Sequence, residues 1–337
     1  MNRSVVTFGE LLMRLSPPGH LRLRQAHSLD LIYGGAEANV AIALANWAIP
    51  VQYVTRLPDN ELGAACLQTL RGQGVSCDFI ELGGERLGLY FLEVGAGNRP
   101  SRVIYDRAGS SFASVAADAF DWPGAFAGAG WFHWSGISPA VSSAAAQATT
   151  RAIAAAREAG LIISCDLNYR HSLWQWGLSP ATLMPGLVEQ CHVLAANTAG
   201  LVLGLPDLPP GETPDEAAEA CAQLAGRYPN LKQITMTCRQ DGSAAEQRLT
   251  AVMWQAGQVY TSPTFTLTNI VDRVGAGDAF MAGLIYGLLT YPQDPRRVVA
   301  FAAASAALKH TIAGDANQVT VDEVDGLLGP QGFDIIR

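Results

Sequence analysis

Short apolar blocks alternate with longer stretches of helical periodicity through most of the chain. Residues 5–9 form an apolar run ended by Gly9 and predict a first core strand. From Gly35 the period becomes that of a helix, with Val40, Leu44 and Trp47 on one face. Residues 52–57 predict the next strand and 61–71 the next helix. The same beat resumes after Trp131-Phe132-His133-Trp134-Ser135. An alanine-rich helix is expected over 142–159, ended by Gly160. Strands are expected at 161–166, 192–196 and 233–238, and the proline-rich run 205–211 as a surface loop. Strands alternating with helices place the chain in the α/β class, with a mainly parallel sheet covered on both faces. Ligands of such sheets gather at the C-terminal ends of the strands.

Two regions break this rhythm. Residues 87–94 and 101–107 read as strands separated by Gly95-Ala96-Gly97-Asn98-Arg99-Pro100, with no room for a helix, so they predict a hairpin. Residues 11–15 and 28–33 alternate as strands with one covered face. Between Glu10 and Tyr33 the arginines, histidines and Pro17-Pro18 are too polar for a core. Together these strands predict a small sheet lying as a lid over the main one. The chain is therefore expected to be a single domain, 1–337, with lid strands inserted at about 11–33 and 86–108.

Composition narrows the function. At 337 residues with 49% hydrophobic residues, a large buried core is expected and disorder is not. A net charge of −8 argues against a nucleic-acid partner and makes individual arginines informative. The 6 cysteines show no C-x-x-C spacing and read as reduced core residues, and the 6 histidines show no metal-ligand spacing, so no metal ligand is assigned. No signal peptide precedes Val5 and no apolar run is long enough to span a membrane, so a cytoplasmic location is expected.

The chemistry concentrates in Asp272-Arg273-Val274-Gly275-Ala276-Gly277-Asp278. Phe280, Leu284 and Leu288 follow at helical spacing, so the glycines stand where a loop enters a helix. Bare amides there form an anion cradle, reinforced by the helix dipole. Asp278, at the helix start, can accept a proton from a hydroxyl while the amides stabilise charge on a phosphoryl group. The alternative is a plain turn with Asp278 as an N-cap, and Asp272 reads equally as a cap or as a residue orienting the loop or a metal. Arg170 follows a strand end, and its planar guanidinium suits a carboxylate or phosphate.

The same stretch resembles the signature of the ribokinase-like (PfkB-type) carbohydrate kinases, usually Asp-Thr-Thr-Gly-Ala-Gly-Asp, with Arg273-Val274 here in place of the threonines. Tyr33-Gly34-Gly35-Ala36-Glu37-Ala38-Asn39 resembles the family's sugar-binding segment and, in its wording, the 2-keto-3-deoxygluconate kinases. Similar segments run from Thr7-Phe8-Gly9-Glu10 and Leu15-Ser16-Pro17-Pro18 through 86–93, 103–107 and 165–170 to 307–315. The resemblance implies a ribokinase-like three-layer α/β/α fold with a β-sheet lid. It also implies ATP as phosphoryl donor and Mg2+ held mainly through phosphates and water. Asp278 would be the base, with Gly275, Ala276, Gly277 and Arg170 completing the catalytic set. Gly34, Gly35, Asn39, Tyr90, Tyr105, Arg107, Arg170, Asp278 and Asp315 would meet the sugar acid. Asn168, Asn197, Thr237, Arg239, Gly275 and Gly277 would meet the nucleotide. A homodimer through the lid is implied too, with Trp131, Trp134, Trp174 and Trp176 in core or dimer packing. Two further departures stand out. Gly200 replaces the acid of the family's Asn-x-x-Glu motif after Asn197, and 237–243 lacks the usual glycine-rich nucleotide loop. A kinase of a neutral sugar such as fructose or ribose, and a sugar-acid-binding relative without turnover, remain the alternatives.

Overall fold

The computed structural model describes residues 4–243 and 246–329. Among these the main sheet has 9 strands. Across it run Gln258–Thr261, Glu246–Gln255, Gln233–Ser243, Val193–Ala195, Ile162–Asp166, Trp131–Ser135, Val5–Phe8 and Val51–Val54, in that order, with Phe265–Leu267 also pairing antiparallel to Glu246–Gln255. From Gln233–Ser243 to Val51–Val54 every neighbouring pair is parallel. The chain leaves Val5–Phe8 toward Val51–Val54 on one side and returns on the other through Trp131–Ser135, so the topology switches beside the first strand. A crevice at such a switch point is where an α/β sheet receives ligands.

One edge departs from the expectation. The strand expected at 233–238 continues to Ser243 and pairs antiparallel with Glu246–Gln255, so 237–243, which lacks the usual glycine-rich loop, is a hairpin arm. The strand expected at 52–57 breaks after Val54, and Arg56–Leu57 pairs instead with Glu81–Leu82.

Two apolar clusters cover the two faces of the sheet. One gathers Val40, Leu44, Trp47, Phe280, Leu284 and Phe301. The other gathers Phe8, Trp122, Phe132, Trp134, Ile153 and Leu224. Helix Ser143–Glu158 begins with the Ser142 hydroxyl accepting from the Ala145 amide and ends before Gly160, which takes φ 71°. Helix Ala276–Thr290 is buried around most of its circumference, Met281 and Ile285 included, not only along the stripe of Phe280 and Leu284. Gly283 and Gly287 make that possible. A Cβ on Gly283 would stand 2.8 Å from the Ala302 Cα, so glycine lets helix Pro295–Lys309 pack close.

The small sheet runs in the order Asp30–Gly34, Leu12–Ser16, Gly88–Glu93, Arg102–Asp106. Its segments are those expected from the broken rhythm, within a residue or two at each end. The polarity reading of this region needs correction, because Glu10, Arg14 and Ser16 are buried. Each has found a partner of opposite charge or a hydrogen bond, which is the condition for burying it. All 6 cysteines are buried free thiols. Among the described residues no helix is long and apolar enough to cross a membrane.

Candidate active site

Two helix starts meet at the centre of the molecule. Helix Ala36–Asn46 begins after Gly35, and helix Ala276–Thr290 begins after Gly275, which takes φ 80°. That angle favours glycine, and a Cβ there would also collide with the carbonyl oxygen of Asp315. The cradle loop is thus closed down onto the 312–315 turn. Asp278 lies in the first turn of its helix, buried, and accepts a hydrogen bond from the Asn39 side-chain amide at 2.7 Å. Burial pushes its carboxyl up to about 8. The Asn39 bond resists this, Asp166 adds to it, Arg170 resists and Glu37 adds. A carboxyl held there can accept a proton near neutral pH.

Beneath the cradle sits a buried ionic cluster. Arg14, from the small sheet, donates to Asp272 at 2.7 Å and to Asp315 at 2.8 Å through Nη1, and to Ser16 at 2.9 Å through Nε. Asp272 also accepts from the amides of Val274 and Gly314, so it ties the cradle loop to the neighbouring turn. The Tyr90 hydroxyl donates to Asp315. Burial first, then the Asp315 charge, holds the Tyr90 hydroxyl well above its ordinary pKa. Lys309 is fully buried and donates to the Ile312 carbonyl at 3.1 Å. Asp315 and Tyr90 are therefore already engaged with Arg14 and with each other. Gly34 and Gly35 fill the gap between the two sheets, where a Cβ would strike the Asp315 carboxylate and the Glu10 carbonyl respectively.

On the small sheet, Tyr90 and Tyr105 face each other with ring centroids 6.2 Å apart. Arg107 lies 5.8 Å from the Tyr105 ring centre, is buried, and donates through Nε to Glu10 at 2.7 Å. Its Nη2 pairs with the same Glu10 oxygen, while Nη1 has no partner among the described residues. Glu10 in turn accepts from the Ser110 hydroxyl.

The adjacent strand ends complete the ring. Asp166 ends its strand and accepts from the Asn168 amide at 3.2 Å. Burial raises its carboxyl to about 6, against the Arg170 charge and the Asn168 bond. Asn168 takes φ 35°, and Arg170, two residues on, is exposed and near enough for its charge to act on Asp166 and Asp278. Asn197 and Thr237, expected to meet the nucleotide, spend most of their hydrogen bonds on each other. The Asn197 Oδ1 accepts from the Thr237 amide at 3.0 Å and from its hydroxyl at 3.1 Å, and Nδ2 donates to the Thr237 carbonyl at 2.8 Å. They tie the segment just past Val193–Ala195 to the middle of Gln233–Ser243. Arg239 reaches solvent two residues further on.

A family profile described as pfkB family carbohydrate kinase matches residues 2–321. This chain belongs to that family. It is 34% identical over 339 residues to a 2-dehydro-3-deoxygalactonokinase of Haloferax volcanii, covering 99% of this chain and 100% of the relative. A crystal structure of 2-dehydro-3-deoxygluconokinase from Thermotoga maritima superposes with a TM-score of 0.91 at 40% identity, covering 97% of this chain and 98% of that one. Fructokinase-1 of Zea mays is 28% identical over 319 residues, 92% of each chain. The protein is an ATP-using carbohydrate kinase with a ribokinase-like fold.

Four site residues of this kinase escaped the reading of the sequence: Glu10, Arg14, Glu37 and Asp166. Glu37 is buried and accepts from the Ser135 amide and hydroxyl at 3.0 and 2.8 Å and from the Ser138 hydroxyl at 2.8 Å. It anchors the helix that carries Asn39. Arg14 left one signal, a single basic residue inside an otherwise apolar strand, and Asp166 another, a carboxylate at a strand end.

Proposed function

We propose that this kinase transfers the γ-phosphoryl group of ATP to the terminal primary hydroxyl of 2-keto-3-deoxygluconate, giving 2-keto-3-deoxy-6-phosphogluconate and ADP. The observation that carries the sugar-acid reading is Arg107. Its guanidinium is buried, Glu10 fixes one side of it, and Nη1 is left without a partner among the described residues. A guanidinium with one side still open suits a carboxylate. In this reading Tyr105 and Asn39 receive sugar hydroxyls, while Gly34 and Gly35 let the Asp315 carboxylate and the Glu10 carbonyl pack close beside them.

The reaction needs alignment, charge neutralisation and a proton acceptor. The sugar hydroxyl oxygen forms the new bond to the γ-phosphorus as the bond from that phosphorus to the bridging oxygen breaks, and the electron pair leaves with ADP. Asp278 takes the hydroxyl proton. The amides of the 275–277 turn and the Arg170 guanidinium receive the charge that grows on the transferring group. No three His, Cys, Asp or Glu side chains converge as a metal cage among the described residues. Magnesium would therefore bind chiefly through the triphosphate and water, and the charge it supplies would ease transfer.

The small sheet favours a homodimer. Leu31, Leu15, Phe91 and Ile104 lie in register across its four strands, on the face opposite Tyr90. Leu31 and Ile104 are 49% and 54% exposed. A second copy laid on this row would cover it.

The test is a panel of 2-keto-3-deoxygluconate, its galactonate epimer, fructose and ribose with ATP and magnesium, scored by ADP release. The keto acids should show the highest kcat/KM. Equal turnover of fructose or ribose would support the neutral-sugar reading, which the maize relative and the Glu10 counter-charge on Arg107 favour.

A further inference from the structure

The reading of this chain as an ATP-using kinase leaves Arg273, on one side of the cradle, without a role. Arg273 stands two residues before Gly275, exposed, where the resemblance leads one to expect threonine. It donates to the Gln247 side chain. Gln247 lies opposite Asp241 on the edge hairpin and Arg239 lies opposite Leu249. Cross-strand partners, and residues two apart on a strand, share a face. The Gln247 side chain, with Arg273 tied to it, and the Arg239 side chain therefore rise from the same face of the hairpin. The strand carrying Arg239 is two places along the sheet from Ile162–Asp166, whose following loop carries Arg170.

Among the described residues none of these three guanidiniums has a carboxylate within ion-pair distance. They also feel one another. The protein packed around Arg239, and then the charges of Arg273 and Arg170, lower its pKa from the ordinary guanidinium value although it reaches solvent. Like charges gathered in a protein of net charge −8 cost free energy unless an anion joins them.

We propose that Arg273 and Arg239 form a guanidinium clamp on the β- and γ-phosphates of the nucleotide, so that this kinase holds ATP through fixed cations even without a metal ion. The clamp deepens the kinase reading and rests on it. Arg273 closes over the phosphates from the cradle loop and Arg239 from the hairpin, while the amides of the 275–277 turn hold the opposite side. Fixed guanidiniums then carry part of the neutralisation that a metal alone would otherwise supply.

Calorimetric titration of the purified kinase tests this with metal-free ATP in EDTA, with ATP and magnesium, and with adenosine. Wild type should bind metal-free ATP. Arg273→Gln should weaken that binding roughly tenfold, the scale of one charge-assisted contact. It should weaken magnesium-ATP less and leave adenosine unchanged. Arg239→Gln should act in the same direction. Arg273 is exposed, so the variant should keep its melting curve. Equal affinity of wild type and Arg273→Gln for metal-free ATP overturns the clamp. Wild type that binds magnesium-ATP but not metal-free ATP overturns it too, with the kinase reading intact. Failure to bind ATP in either form overturns that reading itself.

Discussion

Asn39 donates its side-chain amide to the Asp278 carboxylate at 2.7 Å although 239 residues separate them in sequence. The bond joins the first turns of two helices that enter the site from different parts of the chain. It fixes the direction in which the base faces, and it favours the charged form that burial opposes.

Removing the base should stop the chemistry and spare the fold. Asp278→Asn should bind ATP and sugar acid normally and lose about 10²–10⁴-fold in turnover. Near-normal turnover in rapid-quench assays would remove Asp278 from the mechanism.

The acid limb of the rate profile should report the same group. With the carboxyl raised to about 8, kcat/KM should climb as pH rises toward that value and level off above it. Asn39→Ala removes a bond that lowers the pKa, so its limb should move to higher pH. A limb that stays in place would show that Asn39 does not hold the base.

Stability should move the opposite way. A carboxyl near the ordinary 3.8 in the unfolded chain and at about 8 in the folded one binds more protons when folded between those values. Its contribution to stability is full below about 4 and is lost as pH rises through 8. Asp278→Asn should therefore gain on wild type in urea denaturation from pH 5 to about pH 8. A difference independent of pH would contradict the buried, protonated carboxyl.

Arg14 should matter to the fold beyond its own strand. Arg14→Met leaves Asp272 and Asp315 buried without their shared guanidinium, a loss on the order of 3–5 kcal/mol. Denaturation at neutral pH measures it, and an unchanged midpoint would mean that Lys309 alone neutralises the pair.

For the small sheet, wild type should sediment as a dimer at micromolar concentration, and Ile104→Asp with Leu31→Asp should give monomers. Monomeric wild type would leave the apolar row to another role.

What the sequence determined by itself was local. The β-α beat, the broken rhythm of the small sheet and the glycine turn before Asp278 each depend on residues close together in the chain. Backbone preference and side-chain period act over that range. Only the tertiary structure decided which polar residues are buried. Glu10 and Arg14 looked like surface positions because their partners, Arg107, Asp272 and Asp315, lie 97 to 301 residues away. Likewise, nothing near 233–238 announced that the strand would run on to Ser243, since its partner strand supplies the pairing that keeps it extended. A charge can leave water only when a counter-charge is brought within hydrogen-bond reach. That depends on how distant segments are folded together, and no local period records it.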